Sequence, residues 1–156
     1  MEANNRRMEE FDTAVLSGTT TWWQMNLPSG TVSFGDAKAG MLGYPAEKFK
    51  HYKDFVDLVH PDDREKTMQA MRDHLSGKAE RYEATYRIQR KDGEYLRFFD
   101  CGQISKKEDG TTTVVGFVMK VSDGVDSSKQ TNDFKDLILG GNPSIIELVS
   151  KIRKSV

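Results

Sequence analysis

A histidine, a cysteine and two acid-containing motifs are the residues of this sequence whose side chains could carry chemistry. His60 could act as a base or a ligand, yet it stands directly before a Pro-Asp-Asp helix start, where bonding to backbone N–H groups is the ordinary role. Cys101 lies in a strand-like segment and has the pattern of a small packing residue. Asp62-Asp63 and Asp92-Gly93 lack the spaced oxygen ligands of a calcium loop. Since no zinc spacing, phosphate loop or nucleophile elbow accompanies them, we expect neither catalysis nor a metal site.

The composition indicates one small globular domain with flanking segments. The chain has 156 residues, of which 37% are hydrophobic and 30% charged, with a formal net charge of -1. This near-neutral balance predicts no attraction to nucleic acid or to an anionic membrane. No apolar run approaches the roughly 20 residues of a membrane span, and the N-terminus has no secretory signal. A single cysteine suits a reducing compartment, so we expect a cytoplasmic protein without membrane contact by this segment.

The elements that must position these residues are strands at both ends of the domain with helices between them. Residues 19–27 and 31–34 read as a hairpin around Pro28-Ser29-Gly30. Three short helical segments follow, over about 36–43, 53–59 and 62–75, the last with Met68, Met71 and Leu75 on its apolar face.

The second half of the domain is predicted to be a three-stranded meander. Residues 81–90 alternate, and Asp92-Gly93 and Asp109-Gly110 are strong hairpin signals between this strand, 94–105 and 111–122. Tight turns join antiparallel strands, so the chain is predicted to be α+β, with a five-stranded antiparallel sheet and short helices crossing one face.

Amphipathic segments flank this domain on both sides. Met8, Phe11 and Val15 give residues 1–18 one apolar stripe, which predicts an N-terminal flanking helix. After the domain at 19–123, the segment 124–156 reads as a polar break to about residue 132, a helical turn or two at 133–139, and an amphipathic helix from residue 144.

An ordered series of short motifs carries a family resemblance. The series is Trp23-Gln24-Met25-Asn26-Leu27, Gly30, Met41-Leu42-Gly43-Tyr44, Val59-His60-Pro61-Asp62-Asp63-Arg64, Tyr82-Glu83, Tyr86-Arg87-Ile88, Arg90-Lys91-Asp92-Gly93, Gly102 and Val115-Gly116. Its order and spacing resemble the PAS domain, a sensor fold of bacterial and archaeal signalling proteins, from about residue 19 to 123.

The resemblance implies a ligand-binding inner face of the sheet. It places Trp23 inward, and the candidate pocket residues are Trp23, Met25, Phe34, Met41, Phe55, Met71, Tyr86 and Phe98. The same side chains could also fill the core completely, and both interpretations stay open.

Two cofactors known in the family can be compared with this sequence. The iron ligand of haem-binding PAS domains lies on the central helix, and His74 falls late on that helix, but in a charged stretch typical of a solvated side chain. The Asn-Cys-Arg motif of light-sensing flavin relatives is absent, so covalent flavin chemistry is not expected. Haem and non-covalent flavin stay open.

The position of Trp22 indicates a contact with another element or subunit. Alternation places Trp22 on the outer sheet face, where an uncovered indole would be an exposed apolar patch. We expect the stripe of Met8, Phe11 and Val15, or a second subunit, to cover it, and hence a homodimer.

The end of the domain departs from the family pattern. Family members often end in Asp-Ile-Thr, which links the sheet to an output helix. This chain reads Lys120-Val121-Ser122, so the usual link is not expected to carry over unchanged.

The sequence therefore predicts a sensory input module of a signal-transduction protein, such as a sensor histidine kinase of a two-component system. It would bind a small ligand or a partner and relay the event through its flanking helices to a C-terminal output domain outside this chain. The alternatives are a protein–protein interaction or dimerisation module with a filled core and no ligand, and the input domain of a chemotaxis receptor or a diguanylate cyclase.

Overall fold

A five-stranded antiparallel sheet forms the centre of the computed structural model, which describes residues 18–106, 109–122, 127–139 and 144–154. The strand order is β2-β1-β5-β4-β3, so the hairpin and the meander lie side by side and β5 pairs with β1. The predicted α+β architecture is confirmed. The strands are β1 (Thr20–Leu27), β2 (Val32–Phe34), β3 (Tyr82–Gln89), β4 (Tyr95–Lys106) and β5 (Thr112–Val121).

Helices lie on both faces of the sheet. The inner face carries the helices between β2 and β3, and the outer face carries the two that follow β5. No helix among the described residues is long and apolar enough to cross a membrane. The helices are α1 (Ala37–Leu42), a 3-10 turn (Ala46–Lys48), α2 (Tyr52–Val56), α3 (Pro61–Leu75), α4 (Ser127–Leu139) and α5 (Ile145–Lys154).

The start of α4 differs from the sequence prediction. The polar break expected up to residue 132 is helical from Ser127. The polar residues of this stretch have modest helix propensity, but Phe134 and Ile138 are buried against the sheet. Tertiary packing of an apolar stripe outweighs local propensity, so the helix extends over the polar residues as well.

Helices α4 and α5 cover the outer face of the sheet, where we expected an N-terminal stripe or a second subunit to cover Trp22. Phe134 and Ile138 of α4 and Ile145, Leu148 and Val149 of α5 pack on the outer residues of β4 and β5, and Trp22 is partly buried against this cluster. The chain's own C-terminal helices therefore supply cover that the sequence analysis assigned to an N-terminal stripe or a second subunit. That stripe, with Met8, Phe11 and Val15, lies outside the described residues, as does the predicted N-terminal helix.

Two glycines let aromatic rings lie across the inner face. Trp23 of β1 is level with Gly116 of β5, then Gly102 of β4, then Tyr82 of β3. The rings of Trp23 and Tyr82 meet edge to face with centroids 5.9 Å apart. A Cβ at Gly116 would lie 2.7 Å from Cζ2 of Trp23, and one at Gly102 would lie 2.7 Å from Cη2. The absence of a side chain at these positions is therefore what seats the indole on the sheet.

The N-terminal end of α3 is tied to the edge strand β3 through one buried carboxylate. Asp63 accepts from the backbone N–H of Arg87 at 2.9 Å and from its guanidinium at 2.8 and 3.0 Å, and Lys66 lies 3.3 Å away. Hydrogen bonds from Arg87 hold the pKa of Asp63 well below its usual range, against the opposing effect of burial. The motif around Asp63 is thus structural: His60 caps the helix by accepting from the N–H of Asp62, as the sequence predicts, and Pro61 begins it.

The C-terminal end of α3 is tied to the sheet by His74. Its Nε2 accepts from the N–H of Ile104 at 2.9 Å, and its Nδ1 lies 3.0 Å from the carbonyl of Ala79. The side chain is buried, so the solvated interpretation is wrong: hydrogen bonds to two backbone groups, one of them on β4, take His74 out of water. Both ring nitrogens are occupied by the backbone in this conformation.

The hairpin between β3 and β4 fixes α1. Gly93 adopts φ 92° at the turn, a left-handed conformation that favours glycine, and Arg90 N–H donates to the carbonyl of Glu94 at 2.7 Å. The N–H of Lys91 donates to the carbonyl of Leu42 at the end of α1, at 2.9 Å. The predicted hairpin is confirmed, and it also orients the helix that carries Lys38.

Replacing Gly116 by alanine should destabilise the fold. The added methyl would collide with Trp23 and with the carbonyl of Cys101. Overpacking of this kind costs about 2 kcal/mol or more in the free energy of unfolding, which urea denaturation measures. Gly40 of α1 has open space at its Cβ, so Gly40→Ala is the control and should be neutral or stabilising by up to about 1 kcal/mol. Equal stability of the Gly116→Ala variant and the wild type would contradict the seating of Trp23.

Candidate functional site

A cavity of about 230 Å³ lies between α3 and the inner face of the sheet. Of the residues predicted for the pocket, Trp23, Met25, Phe55, Met71 and Tyr86 line it. Phe34, Met41 and Phe98 belong to the same inner core cluster but do not reach the cavity wall. Five of the eight predicted pocket residues therefore border one cavity, and the other three lie in the core around it.

Nearly half of the residues in the cavity wall are aromatic or methionine. The predicted apolar face of α3 borders the cavity, and Arg72 and Leu75 at its rim are exposed, so the cavity reaches solvent beside the C-terminal half of this helix. The aromatic and methionine residues of the wall are Trp23, Tyr52, Phe55, Tyr82, Tyr86, Met25, Met68 and Met71.

Asp100 is an acidic side chain on the inner face of β4, and the sequence analysis missed it. The residue is only 6% exposed, and its Oδ2 accepts from the phenol of Tyr86 at 2.7 Å. Its Oδ1 is buried without a hydrogen-bond partner. Burial raises the pKa of Asp100 to about 6, although the nearby charge of Lys38 and the Tyr86 hydrogen bond oppose that rise.

Lys38 of α1 faces Asp100 as a second buried ionisable group. It is 7% exposed, and its Nζ lies 3.9 Å from the ring centroid of Phe55 and 5.9 Å from that of Trp23. Burial lowers the pKa of Lys38, and the negative charge of Asp100 partly offsets that effect. The ammonium is thus held against aromatic faces on the cavity wall, where cation–π attraction replaces part of its hydration.

Trp23 contributes a buried donor to the same wall. Its Nε1 is buried and has no partner. Buried polar atoms in folded proteins almost always have a hydrogen-bond partner, and an unmet one costs about 1–3 kcal/mol. The side chains of Asp100, Trp23 and Lys38 thus border the cavity, while the Asp100 Oδ1 and Trp23 Nε1 atoms lie buried within its wall without partners.

The phenols of the wall stay neutral. Burial raises the pKa of Tyr82 and of Tyr86 well above the usual value, and the neighbouring charge of Asp100 adds to the effect. Each phenol can therefore donate a hydrogen bond at any physiological pH. Tyr86 uses this capacity on Asp100.

The residues first considered for chemistry lie elsewhere. Cys101 is fully buried in the outer cluster, where burial raises the pKa of its thiol to about 12 and keeps it protonated. Within the described parts of the chain, no three His, Cys, Asp or Glu side chains form a cluster that could hold a metal ion. His74 does not border the cavity and gives both nitrogens to the backbone, so this conformation does not fit a haem ligand.

Comparison with known proteins connects this geometry to a family. The family model described as the PAS fold matches residues 32–118, more than half of the chain. No curated protein matches the sequence.

Solved structures with the same fold come from signalling proteins. The N-terminal domain of a diguanylate cyclase with a PAS/PAC sensor from Marinobacter aquaeolei is 22% identical, with a TM-score of 0.60 over 71% of this chain and 98% of that one. A sensory box histidine kinase/response regulator from Burkholderia thailandensis E264 is 17% identical, with a TM-score of 0.58 over 94% and 98% of the two chains.

At these identities the structural likeness supports the fold, and the family model supports membership. The sheet order, the helices across the inner face and the matched residues 32–118 agree with each other, and a sensory input role fits this family. The chain belongs to the PAS fold family.

Proposed function

We propose that this PAS domain is a sensory input module that binds a small molecule in its inner cavity and relays occupancy to the helices on the outer face. The observation that carries the proposal is a cavity of about 230 Å³ that is bordered by two buried ionisable side chains, Asp100 and Lys38. A filled, purely structural core gains nothing from such groups, whereas a ligand that pairs with them removes their cost.

A short route connects the two faces of the sheet. Asp100 faces the cavity, while its chain neighbours Phe99 and Cys101 face the outer cluster. The ring of Phe99 packs edge to face on Phe134 of α4, with centroids 6.0 Å apart. A ligand that shifts β4 by drawing on Asp100 therefore moves the surface on which α4 rests.

A second contact joins the end of β5 to α4, at the place where the sequence lacks the Asp-Ile-Thr link of other family members. The N–H and hydroxyl of Ser122, just after β5, both bond Oε1 of Gln130 in α4, at 3.0 and 2.8 Å. Lys135 of α4 also pairs with Glu83 of β3 at 3.0 Å. Both contacts are at least partly exposed and contribute only weakly, as a switchable connection requires. Two docking states of α4 a few kcal/mol apart could be exchanged by a ligand of matching differential affinity.

The proposal also includes a C-terminal output domain and a homodimer. The similar structures come from a histidine kinase and a diguanylate cyclase, which supports a cytoplasmic module that controls such an output domain, with the kinase preferred. The chain's own helices bury most of the outer cluster, and Trp22, which stays partly exposed there, is the residue that supports the expected homodimer. Sedimentation velocity over a range of concentrations tests the homodimer, and a monomer mass throughout would remove it.

Filling the cavity should remove a bound molecule. Met71 lines the cavity from α3, so Met71→Trp would occupy its space, whereas Met71→Leu conserves volume and is the matched control. Native mass spectrometry of the purified protein should show a small-molecule adduct in the wild type and the Leu variant, and lose it in the Trp variant. Only unadducted protein after expression in several hosts and incubation with metabolite extracts would refute the ligand role.

The buried carboxylate should make stability depend on pH. The pKa of Asp100 is about 6 when folded, against about 3.9 for an unfolded aspartate, so the folded state binds this proton more tightly. Its contribution is therefore fully present below about pH 4 and is lost as pH rises through about 6. Asp100→Asn removes this dependence, so the stability of the variant relative to the wild type should increase between these pH values.

Urea denaturation at several pH values measures this difference. Asp57→Asn, at an exposed position directly after α2, makes the same chemical change at the surface and serves as the control. A stability difference between Asp100→Asn and the wild type that does not vary with pH would show that Asp100 is not held in a desolvated site.

A further inference from the structure

The side chain of Lys38 places a nucleophilic amine at the wall of the inner cavity. The residue is 7% exposed and borders the cavity from α1. Its Nζ lies 3.9 Å from the ring centroid of Phe55 and 5.9 Å from that of Trp23, and both of these residues border the cavity as well. The amine therefore lies among the residues of the wall and not on the outer surface of the domain.

The Nζ atom of Lys38 differs from Asp100 Oδ1 and Trp23 Nε1 in being open to the cavity. Within the described parts of the chain, it makes no hydrogen bond and no ion pair. The other two atoms are sealed in the wall without a partner, whereas Nζ of Lys38 is not among the sealed atoms of these parts of the chain. Because an unpartnered nitrogen that is not sealed has accessible surface, a molecule in the cavity can reach it.

The surroundings of Lys38 favour the uncharged amine. Burial lowers the pKa of Lys38, and the negative charge of Asp100 offsets this effect in part. Arg72, the second cation that borders the cavity, is exposed at the rim and bonds Glu65 and Gln69 on the surface of α3, so it keeps its hydration. A desolvated lysine in an apolar pocket is more often unprotonated than a solvated one, and the free lone pair makes it a nucleophile.

Condensation with an aldehyde is the reaction that suits such an amine. The lone pair of Nζ forms a bond to the carbonyl carbon, and the π electron pair of the carbonyl moves to its oxygen. Both N–H protons then pass to that oxygen, which leaves as water, and a C=N double bond remains. This reaction needs no further reactant and adds no charge to the wall. A carbamate formed with CO2 would instead place a second negative charge near Asp100, which is costly in a buried site.

We propose that Lys38 is a covalent binding site, at which the cavity takes a small apolar aldehyde as a reversible imine. An engineered cavity of about 150 Å³ holds one benzene, so the present cavity, of about 230 Å³, has room for an aldehyde with one ring. Phe55 and Met71 provide apolar contacts for that ring. The inference rests on the proposed function and specifies the ligand class of the same site.

Benzaldehyde with cyanoborohydride tests the site on the intact chain, because the reductant delivers hydride to the imine carbon and fixes the adduct as a secondary amine. Peptide mass mapping compares Lys38 with the exposed Lys53 of α2 in the same sample. A solvated lysine, with its ordinary pKa of about 10.4, is almost wholly protonated near neutral pH. Lys38 should therefore be labelled at least about tenfold faster than Lys53 at this pH. Labelling of Lys38 at or below the rate of Lys53 would overturn the proposal.

Two variants show whether the aldehyde reaches Lys38 through the cavity. Met71→Trp occupies the cavity, whereas Met71→Leu conserves volume, so Lys38 should be labelled at least about tenfold more slowly in the Trp variant than in the Leu variant. Lys53 should be labelled equally in both, which controls for the reagents. Equal labelling of Lys38 in the two variants would contradict the assignment. If the Trp variant does not fold, the comparison of Lys38 with Lys53 in the wild type decides the question.

The labelling results separate this inference from the proposed function. If Lys38 is not labelled preferentially but native mass spectrometry finds a molecule in the cavity, the covalent site is wrong and the sensory role stands. If Lys38 is not labelled preferentially and no molecule is found, both fail.

Discussion

The two polar attachments of α3 are the constraint on which the rest of the structure depends. Asp63 fastens the first turn of the helix to Arg87, and His74 fastens its last turn to Ile104. Both attachments are buried and directional, so the helix cannot settle onto the sheet by hydrophobic contact alone. Between them, Met68 and Met71 stand over the inner face without filling it, and the cavity is the space that remains.

The inner face of the sheet under this helix holds the indole ring of Trp23 and the buried carboxylate of Asp100. Gly102 and Gly116 let the indole of Trp23 lie against the strands, with its N–H buried and without a hydrogen-bond partner. Asp100 follows two residues after Phe98 on the same face and places a carboxylate there without full pairing. Retaining such a group costs stability, and proteins keep costs of this kind mainly at functional sites. The alternation that turns Asp100 inward turns Phe99 outward onto α4, so one strand serves both faces.

The sequence predicted the frame of this site better than its polar content. The family resemblance placed Trp23 inward, and period-two alternation put Met25 on the same face. Turn chemistry located the hairpins, because alternation and turns both depend on near neighbours. Continuing the same alternation from Phe98 would have found Asp100. Lys38 was harder to predict as a buried residue of the site, since a six-residue helix gives little periodicity and a lysine is ordinarily solvated. The Asp63–Arg87 pair and the cover of α4 and α5 over Trp22 depend on contacts between distant parts of the chain, which no local pattern contains.

The central claim is that a ligand in the inner cavity changes how the outer helices pack on the sheet. Hydrogen exchange detected by mass spectrometry tests it most directly, on the protein with its co-purified molecule and again after that molecule is removed by unfolding and refolding. The account predicts faster exchange in α3 on removal, together with a change in residues 127–139 of α4, since β4 contacts both the cavity and this helix. Exchange that changes in α3 alone, or nowhere, would contradict it.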